Sequence, residues 1–298
     1  MHRFLKVVSF HKVTCLFDIR LRRERHAAKQ RQDLTVNNFF HHTSLLGVLK
    51  MLSLLILMSL IPPVSMLSAK QLSGINEISD SDFRPVRESR VKLGRLLFYD
   101  NILSGNSNIS CGTCHHHQHH GSDGVSLGVG EGGSGVGLKR TAGKEDSRIK
   151  KRVPRNTPAL FNLGATEISM MFYDGRLSLG EEYENGFNSP AEEWLHEGVD
   201  NLLAAQALFP MAAEFEMAGN SGENQVVGAI YDRIDKGWPI LSKRVRVIPE
   251  YGKLFIAAFD DISDPTQVKI THIANAISDF INFEWRSYDS PFDFYLKG

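Results

Sequence analysis

Apolar side chains recur at helical spacing in the C-terminal part of the chain. Between residues 266 and 285, five of them lie three or four positions apart, as one face of an α-helix requires. They are Ile270, Ile273, Ala274, Ile277 and Ile281. Residues 225–236 ("QVVGAIYDRIDK") and 249–259 also have a helical pattern. We therefore predict an α-rich domain with the 266–285 face packed in its core.

A glycine-rich stretch interrupts this pattern. Residues 120–143 ("HGSDGVSLGVGEGGSGVGLKRTAG") contain nine glycines, which are strong breakers of helices and strands. Its G-x-G fragments resemble phosphate-binding loops, but no strand–loop–helix pattern surrounds them, which argues against a nucleotide site. We expect a long loop.

The N-terminal part of the chain differs from the rest. Residues 1–42 are basic and irregular, and residues 45–69 are mostly apolar. The longest apolar run, 51–61, is shorter than the roughly 20 residues of a membrane span. Followed by the small residues Ser68 and Ala69, it is typical of a secretory signal. An uncleaved anchor or a buried helix are the alternatives. We predict an extension with a signal-like segment at 1–69 and a folded domain at 70–298.

Composition narrows the class of protein. Of the 298 residues, 42% are apolar, so a large core can form. Lys plus Arg equals Asp plus Glu at 34 each, and no basic stripe indicates a nucleic-acid partner. Three cysteines, at positions 15, 111 and 114, are too few for a disulfide framework.

The candidate chemistry lies in the pentapeptide Cys111-Gly112-Thr113-Cys114-His115. Cys-x-x-Cys-His is the pattern for covalent attachment of c-type haem. Two cysteines on one helical turn can each form a thioether, and the histidine that follows can ligate the iron. A zinc or copper site and a redox dithiol are weaker alternatives, because no second ligand pair and no βαβ pattern is visible.

Five stretches in order strengthen the haem interpretation. They are residues 93–116, 155–164 ("RNTPALFNLG"), 172–176 ("FYDGR"), 204–219 ("AAQALFPMAAEFEMAG") and 248–298. Together they resemble the bacterial di-haem cytochrome c peroxidase family, including relatives of the methylamine-utilisation maturation enzyme. The resemblance implies mostly helical, cytochrome c-like haem domains, two per family member. Because the chain has one Cys-x-x-Cys-His, we expect 70–298 to be the N-terminal, peroxidatic haem domain, with the second haem domain missing.

The resemblance also implies the residues of the peroxidatic pocket. Glu216 matches the family's acid–base residue, and Gln206 matches its distal hydrogen-bonding partner. Met217, beside Glu216, is expected to pack rather than to ligate iron. Many family members carry a removable distal histidine after the haem motif. Here Glu131 has that spacing, so we expect no histidine switch.

Three further residues follow from the same resemblance. Tyr173 stands where the family commonly has a tryptophan between the two haems, and without a second haem we expect it to be buried packing. Arg176 would pair with a haem propionate or cap a loop. Asn156 resembles a calcium ligand whose companions come from the second domain. The histidines that follow the haem motif are expected to be exposed; they are His116, His117, His119 and His120.

The resulting hypothesis is a periplasmic haem peroxidase. It would reduce hydrogen peroxide with electrons from a small cytochrome c or copper protein. Export fits because c-type haem is attached in the periplasm of bacteria. The alternative is a mono-haem electron carrier or an inactive remnant. An apolar face left without a second domain would favour a homo-oligomer.

Overall fold

Helices dominate the structure. The computed structural model describes residues 75–145 and 148–297, so the predicted extension at 1–69 lies outside the described residues. The helices are α1 (Glu88–Tyr99), α2 (Cys111–Cys114), α3 (Leu202–Ala212), α4 (Gln225–Ile230), α5 (Trp238–Arg246), α6 (Pro249–Ala258), α7 (Ile270–Glu284) and α8 (Pro291–Lys297). The predicted α-rich fold class is confirmed. Among these described helices, none is long and apolar enough to cross a membrane.

Helices α1 and α7 form the centre of the fold. At Gly94 on α1 the two backbones nearly touch, because a Cβ atom there would lie 1.8 Å from the carbonyl oxygen of Ala276 on α7. Phe98, one turn further along α1, packs edge-to-face on Phe280 of α7. The Cys-x-x-Cys-His segment follows α1 closely in the chain, so this helix pair provides its support.

The predicted apolar face of α7 is confirmed. Its five apolar side chains are all buried. The helix begins at Ile270 rather than 266, because Asp264 accepts a hydrogen bond from the Thr266 amide and closes a separate 3-10 turn. The opposite side of α7 is buried too. There Asn275 accepts a hydrogen bond from the Asp200 amide, and Asn282 donates to the carbonyl oxygen of Arg84. Polar side chains thus attach two loops to a helix that is buried nearly all round.

The predictions for the other two helices differ in accuracy. The 249–259 prediction matches α6 to within one residue. The 225–236 prediction is too long, because α4 ends at Ile230 and a 3-10 turn follows at Ile234–Gly237. The chain folds back there, and a Cβ atom at Gly237 would lie 2.4 Å from the side chain of Ile230. This tertiary contact ends the helix.

A small antiparallel sheet was not predicted. Strands β1 (Met170–Met171), β2 (Leu177–Leu179) and β3 (Phe187–Asn188) pair in sequence order. Met171 lies opposite Leu177, and Leu179 lies opposite Phe187. Strands of two or three residues are too short to show an alternating pattern in the sequence.

The close approach at Gly94 predicts a large cost for one methyl group. Gly94→Ala must push apart two backbones, and we expect the free energy of unfolding to fall by about 3 kcal/mol. Gly228 on α4 is the matched control, since a Cβ atom added at that position would have nothing within 4 Å. There Gly→Ala is expected to be neutral or to stabilise by up to about 1 kcal/mol. Urea denaturation of both variants measures this, and equal stabilities would contradict the backbone contact.

Candidate haem site

The two cysteines of the motif lie on one short helical turn, α2. The Ser110 amide donates a hydrogen bond to the Thr113 hydroxyl and closes the start of the turn. Gly112 packs under the ring of Tyr99, where a Cβ atom would come within 2.3 Å of two ring carbons. The packing of Tyr99 therefore leaves room only for glycine at position 112.

Both cysteines are free and partly buried thiols. Burial raises the pKa of Cys111 to about 12 and that of Cys114 to about 11. Nucleophilic dithiols are thiolates, which a raised pKa disfavours. The raised pKa of both thiols therefore does not favour the redox-dithiol alternative. Within residues 75–145 and 148–297, no group of three or more His, Cys, Asp or Glu side chains could hold a metal ion.

His115 is oriented by the loop that follows it. Its Nδ1 lies 2.7 Å from the carbonyl oxygen of Gly121. A carbonyl oxygen can only accept, so Nδ1 carries the proton and Nε2 keeps its lone pair. Burial lowers the pKa of His115, which favours the neutral ring. Metal-ligating histidines are commonly oriented in this way, because the ring nitrogen that does not bind the metal donates its N–H to a carbonyl oxygen.

Buried polar contacts hold the Gly121 carbonyl in place. Asp123, only 2% exposed, accepts hydrogen bonds from the Thr157 hydroxyl at 3.0 Å and from the Val125 amide at 3.1 Å. The Ser122 hydroxyl donates to the carbonyl oxygen of Thr157 at 2.7 Å. The "RNTP" segment thus supports the haem-motif loop through Thr157. Its neighbour Asn156 is exposed, and a calcium-binding role for it stays a prediction.

Arg140 organises the glycine-rich loop, a role that was not predicted from the sequence. Its guanidinium donates to the carbonyl oxygens of Val129, of Gly130 at 2.6 Å and of Gly135 at 2.7 Å. Carbonyl oxygens in an irregular loop lack the regular partners of a helix or a strand, and a half-buried guanidinium supplies additional donors. An arginine at the end of a glycine-rich stretch was the available signal. As predicted, the stretch 120–143 contains no regular helix or strand beyond single turns.

The predicted acid–base residue lies on a π-helical turn, Glu214–Ala218. The glycine-rich loop contacts this turn through backbone atoms. The Glu131 amide donates to the carbonyl oxygen of Glu216 at 2.9 Å, and a Cβ atom at Gly130 would lie 1.7 Å from the carbonyl oxygen of Phe215. Glycine at position 130 is therefore what allows the loop to reach Glu216.

Glu216 is half-buried, and its pKa is raised. Burial raises its pKa, and the nearby positive charge of Arg176 partly opposes the increase. Burial is also the main cause of the raised pKa of Cys114, to which the charge of Glu216 adds a smaller contribution. The fold thus brings together three residues that are far apart in sequence: Cys114, Arg176 and Glu216.

Gln206 lies on α3, the helix that leads directly into the Glu216 turn. Its side chain is half-buried and makes no hydrogen bond to the part of the chain that the structure describes. An amide with free donors suits the distal role that the family resemblance implies. Met217 is 4% exposed and packs in the core, which agrees with the expected packing role.

Glu131 has a structural role that the sequence did not show. It is 6% exposed, and one of its carboxylate oxygens accepts hydrogen bonds from the Asn106 amide at 2.9 Å and the Asn108 amide at 2.6 Å. The carboxylate therefore joins the glycine-rich loop to the segment that precedes the haem motif.

The prediction that Tyr173 is buried packing is wrong. The side chain is 72% exposed, and the guanidinium of Arg155 lies 3.8 Å from its ring centre. Tyr173 lies in the loop between β1 and β2, and so small a sheet cannot cover it. Arg176, in the same loop, donates to both oxygens of Asp174 at 2.9 Å and stacks on Phe172. Its side chain is held by the protein itself.

The histidines after the motif are only partly exposed. His117 and His120 are exposed, as expected, whereas His116 and His119 are half-buried. The rings of His116 and His119 lie 5.8 Å apart, and His119 packs under Gly124. The expectation of four exposed histidines is therefore wrong for two of them, because the tight glycine turns fold back over the rings.

Comparison with known families defines the class of protein. Residues 88–298 match the di-haem cytochrome c peroxidase family. This chain belongs to that family. The residues present fit a covalent haem c, because two free thiols share one helical turn and the carbonyl oxygen of Gly121 orients the adjacent histidine through Nδ1.

The individual relatives are about a quarter identical to this chain in sequence. The chain is 27% identical to cytochrome c551 peroxidase of Pseudomonas aeruginosa over 74% of its own length and 46% of that protein. It is 26% identical to methylamine utilization protein MauG of Methylorubrum extorquens over 72% of its own length and 43% of that protein. The crystal structure of a MauG-like protein associated with microbial copper homeostasis is 25% identical in sequence. The match covers 74% of this chain and 47% of that chain, with a TM-score of 0.42. The chain thus spans about half the length of the relatives it matches.

The contacts of Arg140 predict a specific change in loop dynamics. Arg140→Ala removes three hydrogen bonds from a charged donor, and we expect loop opening to become easier by about 3 kcal/mol. The amides of Glu131 and Ser134 should then exchange hydrogen about 100-fold faster. Lys139→Ala is the matched control, since Lys139 is an exposed neighbour. Unchanged exchange in Arg140→Ala would contradict the proposed role of the guanidinium.

Proposed function

We propose that this protein is a periplasmic c-type haem peroxidase that reduces hydrogen peroxide with electrons from a small cytochrome c or copper protein. The observation that carries the proposal is Glu216, a half-buried carboxyl group with a raised pKa, which lies on the turn that the glycine-rich loop contacts and whose charge reaches Cys114 of the haem motif. Perturbed carboxyl groups of this kind are typical of sites where protons are transferred. Family membership supports the reaction class.

The residues of the chain have separate tasks in this proposal. Bound haem would supply the iron at which peroxide reacts and through which electrons pass. His115 would hold the iron through Nε2, and the hydrogen bond from its Nδ1 to the carbonyl oxygen of Gly121 keeps the ring in the ligating tautomer. Cys111 and Cys114 would each form a thioether bond to the haem. The polar residues Gln206 and Glu216 act on the peroxide.

Glu216 manages the proton in the proposed reaction. Reduction of hydrogen peroxide consumes two electrons and two protons and yields two waters. Cleavage of the O–O bond is easier when a proton moves from one peroxide oxygen to the other, so that water can leave. A carboxyl group whose pKa is raised towards the working pH can both take and return that proton. Gln206 would orient the peroxide through its amide.

The second candidate function is electron transfer without peroxide turnover. It is favoured by one observation, the single Cys-x-x-Cys-His in the chain. A one-haem protein of this type would pass single electrons and leave peroxide unreacted. Stopped-flow absorption spectroscopy with hydrogen peroxide distinguishes the two, because a carrier would show no spectral change of the haem.

Covalent haem attachment predicts a change in the mass of the protein. After periplasmic expression with the haem-attachment machinery, we expect the mass to increase by one haem. Cys111→Ala combined with Cys114→Ala should abolish this increase, because both thioether bonds are lost. Lys139→Ala, at an exposed position outside the motif, is the control and should keep the haem. A haem that stays covalently attached in the double variant would contradict the assignment.

The acid–base role predicts a defect without loss of haem. Glu216→Gln keeps the size of the side chain but removes the ionisable group, and we expect peroxide turnover to fall at least about 100-fold. Glu214→Gln, two positions away on the same turn and exposed, is the matched control and should keep normal turnover. Haem content and absorption spectra should be unchanged in both. Equal turnover in the two variants would remove Glu216 from the mechanism.

A further inference from the structure

A second polar contact lies on the other side of the haem turn. The ring of Tyr99, the last residue of α1, packs directly on Gly112 between the two cysteines. Its hydroxyl oxygen lies 2.6 Å from Nε2 of His117. The side chain of Tyr99 is also 40% exposed. One tyrosine therefore touches the haem-attachment segment, an imidazole and solvent.

The imidazole that faces Tyr99 is held from two sides. The ring of His117 stacks on Trp285, with 4.8 Å between ring centres and 13° between planes. A carboxylate oxygen of Glu284 lies 3.7 Å from the same Nε2. Trp285 is buried, so its ring is a fixed platform. The packing thus keeps Nε2 of His117 directed at the phenol.

The phenol supplies a proton to this contact. Burial raises the pKa of Tyr99 to about 12, so the hydroxyl keeps its proton near neutral pH. At a separation of 2.6 Å the phenol O–H can donate to Nε2 of His117 when the ring proton lies on Nδ1. Removing an electron from a phenol makes it a very strong acid, so a nearby acceptor for the proton makes oxidation much easier.

We propose that Tyr99 is a redox-active side chain that donates one electron to the haem after peroxide has oxidised it. The proposal rests on the peroxidase function proposed above. In this step the O–H bond of Tyr99 breaks, and its proton forms an N–H bond with Nε2 of His117. The electron reduces the oxidised haem by one equivalent. A neutral tyrosyl radical and a positively charged imidazole remain, and the carboxylate of Glu284 stabilises the charge.

The step is completed by an external electron. A small redox protein delivers an electron to the tyrosyl radical, the proton returns from His117, and the phenol is restored. Peroxide accepts two electrons, whereas small cytochromes and copper proteins deliver one at a time. A side chain that lends one electron bridges this difference. The exposed edge of Tyr99 lets the donor approach.

Tyr173 and Tyr251 provide contrasts within the same chain. Tyr173 lies under the cation of Arg155, and a neighbouring positive charge disfavours removal of an electron. Tyr251 is buried and donates a hydrogen bond at 2.9 Å to Asp100, away from the haem turn. Phenylalanine at each position removes one hydroxyl and keeps the ring, so the three variants are matched.

The test combines two readouts on the haem-loaded protein. Hydrogen peroxide is mixed with it and the samples are frozen within milliseconds. Absorption spectra report whether the haem has reacted, and electron paramagnetic resonance reports an organic radical. We expect a tyrosyl signal in the parent protein that narrows when ring-deuterated tyrosine is incorporated. The signal should be lost in Tyr99→Phe and retained in Tyr173→Phe and Tyr251→Phe. His117→Phe, which keeps a ring against Trp285 but removes the acceptor, should reduce the radical yield at least about tenfold.

Each result has a definite meaning. A haem that reacts normally in Tyr99→Phe without a radical supports the proposal. A radical that persists in Tyr99→Phe and disappears in Tyr173→Phe or Tyr251→Phe overturns it, and so does a reacting haem that yields no radical in the parent protein. If the haem shows no spectral change with peroxide, no oxidised haem forms that could take an electron from Tyr99. That result overturns the proposed peroxidase function and this inference together, and the absorption readout identifies it separately.

Discussion

The hydrogen bond from His115 to the carbonyl oxygen of Gly121 is the constraint around which the site is built. It determines which ring nitrogen can bind iron, and it ties the haem motif to the loop that follows. A loop carbonyl alone is a weak anchor, because loops move. Here a buried hydrogen bond between Thr157 and Asp123 anchors the loop next to the carbonyl. Arg140 does the same for the next part of the loop.

Burial controls the charges of this site. It raises the pKa of both cysteines and of Glu216, and it lowers the pKa of His115. All four groups are therefore shifted towards their neutral forms. A neutral imidazole is the form that can ligate iron. A carboxyl group that can hold a proton is what the proposed peroxide chemistry requires.

Local features of this protein were predictable from its sequence, whereas features that depend on distant contacts were not. The apolar face of α7 and the glycine-rich loop were predicted because spacing and composition alone indicate them. The length of α4 was not, because Gly237 folds back on Ile230 and ends the helix. Tyr173 was expected to be buried because family position does not report solvent exposure. The haem motif and the family were visible in the sequence because both depend on short, ordered patterns.

The sequence by itself determined the chemistry that is available. Cys111, Cys114 and His115 are adjacent, so one helical turn is enough to present them together. Only the tertiary structure decided which distant residues join them. The glycine-rich loop meets the Glu216 turn because Gly130 lets two backbones approach, and Tyr99 lies within hydrogen-bonding distance of His117 because the haem turn packs on the end of α1. Contacts between residues far apart in the chain depend on packing, and packing leaves no local pattern in the sequence.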